Sequence, residues 1–307
     1  MTQQPDPEAL FVATTANNDA SFQGGDWLLF FGISLIWGAS FLLIAESLES
    51  FNPGLVTFGR VSLGALVLAI LRIAGHRGER IATADRGRVL LLGVVWVGVP
   101  FTLYPLAQES INSAVTGLLN GATPVWVAVV GLVFVKVAPR PLQIIGLLLG
   151  FVGIALISLG SAAEGSSQLQ GVVMVIAATV CYGFAFNIAP PLQARYGAVV
   201  LMSSVLGAAS IVTLPYMLVT LGGNEWAWQP AIALFVLGAI GTGIAYWVMA
   251  TLVGRVGSLR SSLITYLIPV VALLLGVSLR GDTVTALALI GAPVTIFGAY
   301  LASRSAG

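Results

Sequence analysis

Residues 113–131 read SAVTGLLNGATPVWVAVVG, and residues 258–276 read SLRSSLITYLIPVVALLLG. Ser, Pro and Gly stand at matching positions in the two stretches, at an offset of 145 residues. The same offset pairs glycines elsewhere in the chain, for example Gly38 with Gly183. Because glycine and proline report backbone requirements rather than overall composition, the match predicts an internal repeat.

The chain of 307 residues is too apolar for a soluble domain. Hydrophobic residues make up 58% of it and charged residues only 8%, against about 25% charged in soluble globular proteins. A helix that crosses a bilayer needs about 20 apolar residues, and ten continuous apolar blocks of this kind lie at 27–45, 54–73, 88–107, 113–135, 141–159, 170–190, 197–221, 230–252, 258–279 and 283–303. The blocks lack the dyad alternation of barrel strands. The sequence therefore predicts an all-α integral membrane protein with ten transmembrane helices.

Each half of the chain carries five of these blocks. An odd number of spans makes the second half enter the membrane from the opposite side. The sequence therefore predicts two inverted five-helix repeats, at 27–160 and 169–303, related by a pseudo-two-fold axis in the membrane plane. Residues 1–26 are polar and lack Lys and Arg, so we predict a disordered cytoplasmic tail rather than a signal peptide.

Basic residues in the connecting segments predict the orientation of the chain. If the N-terminus is inside, the inside segments carry nearly all the Lys and Arg near span ends, and the outside segments carry only Arg280. Such residues are retained on the cytoplasmic side. We therefore predict that both termini are cytoplasmic, in a multi-pass protein of the bacterial inner (plasma) membrane.

Several chemistries are excluded by the composition. Cys181 is the single cysteine, so no Cys/His metal cluster can form. His76, the single histidine, lies between two apolar blocks, which excludes a Ser-His-Asp triad inside the membrane. The basic residues form no dense patch with interleaved aromatics of the kind that binds nucleic acid. We expect no enzyme activity, metal, cofactor or nucleic-acid partner. The expected partners are the lipid bilayer and a small-molecule substrate, and the expected state is a monomer.

Polar residues follow one face of the fourth predicted helix. Ser113, Thr116, Asn120 and Thr123 recur at steps of three and four residues, and Thr265 matches Asn120 in the ninth helix. Polar groups in hydrocarbon must face either a neighbouring helix or a wet cavity, and both interpretations are open. If the polar face lines a cavity, Asn120 and Thr265 are the preferred lining residues.

Aromatic residues with polar groups recur near the middle of several predicted helices. Trp37 in the first helix matches Tyr182 in the sixth at the repeat offset, and position 37 is too central for an interfacial belt. Such residues form walls suited to a flat or zwitterionic solute, with packing between helices as the alternative. The candidate substrate-binding residues are Trp37, Ser40, Trp96, Thr116, Asn120, Tyr182, Asn187, Tyr246, Trp247, Thr265 and Tyr266.

The charged residues nearest the apolar core are Arg60, Glu46 and Glu109, which are candidates for coupling or structural roles. Arg60 lies inside the second helix, and three roles are open: an ion pair with Glu46 or Glu109, snorkelling to the interface, or contact with substrate. Neither acid occupies the mid-helix position of a dedicated proton relay. This favours facilitated diffusion or exchange.

Glycine and proline supply candidate hinges in both halves. Gly98, Pro124, Gly243 and Pro269 loosen or kink the predicted helices. Close packing between helices is the alternative role of any one glycine.

Six segments carry the likeness to a known family: WGASF at 37–41, LAQESINSAVTGLLNGATPVW at 106–126, PRPLQIIGLLLGFVGIALI at 139–157, CYGFAF at 181–186, GTGIAYW at 241–247 and RVGSLRSSLITYLIPVVALLLG at 255–276. With these segments the chain resembles the EamA-type transporters of the drug/metabolite transporter superfamily over nearly all of residues 27–303. The family often has Gly-Glu after helices 4 and 9, where this chain reads Val135-Lys136 and Arg280-Gly281-Asp282. These turns are at the surface, so the departure leaves the expected fold unchanged.

The resemblance implies ten helices around a central cavity bounded by helices 1–4 and 6–9, with helices 5 and 10 at the periphery. It also implies export or exchange of amino acids, metabolites or drugs. The family has a matching arginine in helix 2, which favours a structural role for Arg60.

Together these observations predict a secondary transporter that moves small uncharged or zwitterionic metabolites across the inner membrane by alternating access. Neutral and aromatic amino acids are the first candidates, moved by export or exchange. The alternative is a drug or toxic-compound efflux transporter of the same fold, and the alternative from another class is a channel or lipid scramblase. Few buried cations argue against phosphorylated substrates, which need Lys or Arg clamps.

Overall fold

A computed structural model describes residues 23–75, 79–135, 141–162, 166–256 and 264–303. These residues form helices and connecting segments without a strand. Eight helices are long and apolar enough to cross a membrane, and the last two described helices are shorter apolar ones. The helices are α1 (Gly24–Leu48), α2 (Pro53–Ile73), α3 (Thr83–Gln108), α4 (113–135), α5 (Pro141–Ala162), α6 (Ser166–Tyr196), α7 (Ala198–Val219), α8 (228–256), α9 (Ile264–Arg280) and α10 (Ala286–Ser303).

α1 begins earlier than the first apolar block. Most of the predicted disordered tail, residues 1–22, lies outside the described residues, but residues 24–26 were wrongly assigned to that tail because they are helical. Asp26 Oδ2 accepts a hydrogen bond from Gln23 N at 3.0 Å, and its Oδ1 lies 3.4 Å from Arg255 Nη1. A carboxylate in the first turn favours the helix start electrostatically, so α1 extends beyond the apolar run.

Charged residues also lengthen α3 and α6 at the same end of the molecule. Asp85 Oδ2 accepts hydrogen bonds from Arg195 Nη1 at 2.9 Å and from the Tyr196 hydroxyl at 2.5 Å. Arg86 and Arg195, which the apolar blocks assign to connecting loops, therefore lie within helix ends. We call this end, where α1 begins and α10 ends, the terminal face.

The contacts between helices follow a two-fold rule. α1 packs on α8 and α9, and α6 packs correspondingly on α3 and α4. α2 packs on α8 as α7 packs on α3, while α2 with α7 and α5 with α10 pair with their own counterparts. These contacts are exchanged with one another or map onto themselves when every helix is moved five places along the chain. This arrangement is the one expected of two inverted five-helix repeats.

Irregular helical segments recur within one residue of the repeat offset. α3 contains a π-helical segment at Gly93–Gly98 and α8 contains one at Ala239–Ile244. α4 ends in another at Gly131–Val135, and α9 ends in its counterpart at Gly276–Arg280. π-Helical turns widen the helix and are frequent at functional sites. The two repeats therefore share local distortions as well as helix order.

Small residues bring α5 and α10 into direct backbone contact. A Cβ added at Gly153 would overlap the side chain of Thr295 and lie 2.6 Å from the Gly291 carbonyl oxygen. Gly298 lies equally close to the backbone of Gly150. Such interfaces are typical of helices that associate within a bilayer.

The buried core consists of two clusters. The first draws most of its residues from α1, α4, α8 and α9, and the second from α3, α6 and α7. Tyr182 packs against both clusters. The boundary between the clusters therefore passes through the middle of the helix assembly.

Candidate functional site

Seven aromatic side chains of α1, α3, α6 and α8 form a continuous series of contacts at this boundary. Consecutive ring centroids are 5.5 to 6.3 Å apart, mostly in tilted or edge-to-face geometry, which is favourable for aromatic pairs. In order of contact they are Trp37, Tyr246, Trp96, Phe186, Tyr182, Tyr104 and Phe41. Because Trp37 and Phe41 lie one turn apart on α1, the series closes on itself, and we call it the aromatic circle.

Helical spacing and the internal repeat explain how the circle assembles. Trp37 and Phe41 lie four residues apart on one face of α1, and Tyr182 and Phe186 repeat this pair on α6 at the offset of 145. α1 and α6 are counterparts under the two-fold rule. The repeat therefore supplies four of the seven rings as two equivalent pairs.

The circle borders accessible space rather than a sealed core. Trp37, Tyr182 and Tyr246 are half-buried, although each lies well inside a membrane-spanning helix. Trp96 and Tyr104 are nearly sealed, at 6% and 2% exposure. The half-buried rings offer flat apolar faces with polar groups at their edges.

Asn120 is connected to the circle by a hydrogen bond. The Tyr104 hydroxyl donates to Asn120 Oδ1 at 2.7 Å. Asn120 ends the first helical stretch of α4, and a turn at 121–122 separates it from the second stretch. The predicted lining residue thus lies between the aromatic circle and a break in its own helix.

Arg60 lies beside the circle, inside the helix assembly. Its side chain is only 7% exposed, its guanidinium carbon lies 3.8 Å from the centroid of Phe101, and its Nε donates to Thr242 Oγ1 at 3.0 Å. Snorkelling and an ion pair with Glu46 or Glu109 are therefore both wrong. Within the part of the chain that the structure describes, Arg60 has no carboxylate within 4.0 Å.

The predicted hinge residues lie at the helix irregularities. Gly98 and Gly243 belong to the π-helical segments of α3 and α8. Pro124 follows the turn in α4, and a Cβ added at Gly121 in that turn would lie 2.9 Å from Cγ of Pro269 in α9. The break in α4 therefore packs directly on the proline of its neighbour, and the role of these positions as hinges stays a prediction.

Several other candidate residues lie in helix packing. Ser40 and Thr116 are buried, and each hydroxyl donates to the carbonyl oxygen four residues earlier. Trp247 packs beside the second core cluster, and Thr265 is half-buried on α9. Among the ring contacts described for the aromatic circle, none involves these four residues.

Asn187 and Tyr266 connect neighbouring helices. Asn187 Nδ2 donates to the Val127 carbonyl oxygen at 3.0 Å and to that of Gly183 at 2.8 Å, which joins α6 to α4. The Tyr266 ring lies 6.2 Å from that of Tyr300, which joins α9 to α10. These contacts direct both side chains toward helix interfaces.

Ion pairs connect the two halves at the face opposite the terminal face. Arg280 Nη1 lies 2.5 Å from Glu46 Oε1, and its Nη2 lies 2.8 Å from Glu49 Oε1. Gln229 Nε2 donates to Glu46 Oε2 at 2.9 Å. Glu109 lines a cavity of about 520 Å³ on this face, together with Glu49 and Arg280. The described residues contain no group of three or more His, Cys, Asp and Glu that could hold a metal ion.

We expect Arg280→Gln to open this face, because Arg280 is the only side chain that joins α9 to both carboxylates among the described contacts. Labelling of a cysteine at Ala45, which lines the cavity, should become about five-fold faster, which corresponds to roughly 1 kcal/mol lost from the closed state. The measurement uses maleimide labelling in a Cys181→Ser background. Arg255→Gln, which removes an ion pair at the terminal face, is the control. Equal labelling rates in the unsubstituted background, in Arg280→Gln and in Arg255→Gln would contradict the closing role of Arg280.

The comparison with known proteins agrees with this architecture. The EamA-like transporter family matches residues 26–159 and again residues 169–304. The chain belongs to the EamA-like transporter family. It is therefore a multi-pass membrane transporter rather than an enzyme, and the two family matches coincide with the two halves seen in the structure.

Individual EamA-like relatives are distant but match along most of their length. The chain is 23% identical over 290 residues to an uncharacterized transporter of Archaeoglobus fulgidus, covering 91% of this chain and 98% of that protein. It is 22% identical over 277 residues to the uncharacterized inner membrane transporter YedA of Escherichia coli K12, covering 88% of each. A solved crystal structure matches with a TM-score of 0.63 at 20% identity, covering 92% of this chain and 96% of that one. This likeness supports the fold of the EamA-like chain.

Sequence reasoning missed two partners within the site. Phe101 and Thr242 hold the Arg60 guanidinium. One signal was available for Phe101, because the repeat offset matches it to Tyr246. Nothing in the sequence pairs Thr242 with Arg60.

Proposed function

We propose that the protein is a carrier for small uncharged or zwitterionic metabolites, with neutral and aromatic amino acids as the first candidates, and that it works by alternating access. It acts as a monomer in the inner membrane with both termini cytoplasmic, and it exports or exchanges its substrate. The observation that carries this proposal is the aromatic circle, which places Trp37, Tyr182 and Tyr246 half-buried at the boundary of the two core clusters.

The chemistry of the circle supports an amphipathic solute. Indole and phenol rings present flat apolar surfaces that stack against an aromatic or aliphatic side chain. The amide of Asn120 and the hydroxyls of Tyr182 and Tyr246 add a few polar groups for orientation. A wholly apolar solute would leave these polar groups unmatched, which places hydrophobic drugs second.

The distribution of acids supports facilitated diffusion or exchange. Glu46 and Glu49 are engaged by Arg280 at one face, and Asp26 and Asp85 pair with arginines at the terminal face. Among the described residues, no Asp or Glu takes part in the aromatic circle. A carrier without a central carboxylate has no dedicated site for a coupled proton.

The helix arrangement supports alternating access. Two inverted repeats can exchange conformations, so that a site at their boundary opens first to one side and then to the other. Ion pairs close one face through Arg280, and a different set lies at the terminal face through Asp85. Paired π-helical segments give both halves matching places at which to bend.

Counterflow in proteoliposomes tests the proposal. Vesicles loaded with unlabelled phenylalanine are diluted into labelled phenylalanine, with and without an imposed pH gradient. We expect transient accumulation of label in both conditions, because exchange needs no gradient. Accumulation only with the gradient would contradict uncoupled exchange and direct attention to Glu46 and Glu109.

Two other outcomes distinguish the alternatives. Accumulation of hydrophobic cations but not amino acids would favour a drug efflux transporter. Rapid equilibration without transient accumulation would indicate a channel, and movement of labelled lipid between leaflets would indicate a scramblase.

A further inference from the structure

Arg60 is a buried cation in the middle of the helix assembly, and no carboxylate of the described residues lies within 4.0 Å of it. It is the eighth residue of α2, roughly 10 Å along the helix from Pro53. The titratable side chains near it are the phenols of Tyr104, Tyr182 and Tyr246, which belong to the aromatic circle. A guanidinium stays protonated, so its burial without a carboxylate is costly unless an anion is supplied from elsewhere.

Two contacts fix the guanidinium from its side and from its face. Nε donates to Thr242 Oγ1 at 3.0 Å, and Thr242 Oγ1 donates in turn to the Leu237 carbonyl oxygen at 3.0 Å. The Phe101 ring covers the planar face at 3.8 Å. Neither contact uses the two Nη groups, which form the part of the fork that faces a bidentate acceptor.

The Nη groups also reach accessible space. Among the described residues, the side-chain atoms that are both sealed and without a hydrogen-bond partner belong to Ser62, Gln108 and Trp126. The Nη atoms of Arg60 are not in this group, although the described contacts give them no acceptor. They therefore keep some accessible surface of their own, as the half-buried rings of the circle do.

We propose that Arg60 binds a carboxylate of the transported solute through its Nη groups, and that Thr242 and Phe101 act as positioning residues. This inference rests on the proposed function and gives its substrate class: a monocarboxylate whose apolar body lies on the aromatic circle. At the repeat offset the counterpart of Arg60 in the second half is the uncharged Val205. The repeat therefore does not supply a second arginine to the site. A single guanidinium matches one carboxylate, whereas a phosphate dianion requires further cationic groups.

The test compares ligands that share a phenyl group and differ in which charged groups they carry. L-phenylalanine, 3-phenylpropionate and L-phenylalaninamide are measured for binding to the purified protein by titration calorimetry. We expect the wild-type protein to bind the two carboxylates about ten-fold more tightly than the amide, as for other charge-assisted hydrogen bonds. Arg60→Gln should remove this preference by weakening carboxylate binding and leaving amide binding unchanged.

Three variants separate binding from folding. Arg72→Gln changes another arginine of α2, which lies near Ser203 rather than the circle, and should keep the full preference. Arg60→Lys keeps the charge but loses the planar fork, so we expect part of the preference to remain. If Arg60→Gln does not fold, Thr242→Val carries the test, because it frees the guanidinium without removing it and should reduce the preference several-fold.

The outcomes separate this inference from the proposed function. Equal affinities of the wild-type protein for phenylalanine and its amide would overturn the role of Arg60 and leave the carrier standing. Arg60-dependent binding of phenylpropionate without binding or counterflow of phenylalanine would support Arg60 and remove amino acids as substrates. Folded protein that binds none of the carboxylates would overturn the inference.

Discussion

Trp37→Ala and Tyr182→Ala should each reduce the rate of phenylalanine counterflow by at least about ten-fold, because removing a half-buried aromatic ring takes away roughly 1.5–3 kcal/mol of contact with a bound apolar group. The two residues are counterparts in the repeat and occupy separate positions in the aromatic circle. A lower counterflow rate in both variants would show that the solute contacts both halves of the transporter. The measurement is initial counterflow at equal amounts of reconstituted protein.

The control for these variants is Trp228→Ala. Trp228 is 74% exposed at the start of α8 and contacts Trp226 rather than the circle. It should transport at the wild-type rate. Asn120→Ala removes the acceptor of the Tyr104 hydroxyl. Its initial counterflow rate should lie between that of the Trp228→Ala control and those of the two ring variants. Wild-type rates for Trp37→Ala, Tyr182→Ala and Asn120→Ala would place the substrate elsewhere in the protein.

The second large effect is expected on stability, at the contact between α5 and α10. Gly153→Ala inserts a methyl group against Thr295 and 2.6 Å from the Gly291 carbonyl oxygen, where backbone rather than a flexible side chain must move. Overpacking of this kind destabilises a protein by about 1–3 kcal/mol. We expect a clearly lower apparent Tm of the detergent-solubilised protein, measured by thermal unfolding and size-exclusion chromatography.

Gly207→Ala on α7 is the matched control, because nothing lies within 4 Å of its added Cβ. Replacing a helical glycine at an unobstructed position stabilises by about 0.4–1 kcal/mol. The two substitutions are chemically identical and should shift Tm in opposite directions. A Tm for Gly153→Ala equal to or above that of the wild-type protein would contradict the close packing of α5 on α10.

Predictions from the sequence were most accurate where a pattern acts along a single helix. Each of the ten apolar runs corresponds to a described helix, eight of them long enough to cross a membrane, and errors lie at helix ends, where charged residues such as Asp26 and Asp85 extend the helices through hydrogen bonds and ion pairs. Such contacts depend on partners far away in the chain, including Arg195 and Arg255. Hydropathy does not register them.

The polar candidates show the same limit. Spacing placed Thr116 and Asn120 on one face of α4, but a shared face does not reveal which member meets a neighbouring helix. The Thr116 hydroxyl donates to the Asn112 carbonyl oxygen one turn earlier, whereas Asn120 Oδ1 accepts a hydrogen bond from Tyr104 of α3. Only the approach of α3 to α4 distinguishes the two.

The sequence by itself determined the all-helical membrane fold, the inverted repeat and four rings of the aromatic circle, because glycine, proline and apolar periodicity act through local backbone and solvation requirements. The tertiary structure decided which distant residues meet. Glu46 forms an ion pair with Arg280, whereas Arg60 contacts Thr242 and Phe101. Hydrogen bonds and ion pairs form only between atoms that helix packing brings within a few ångströms of each other. No spacing along the chain encodes those distances.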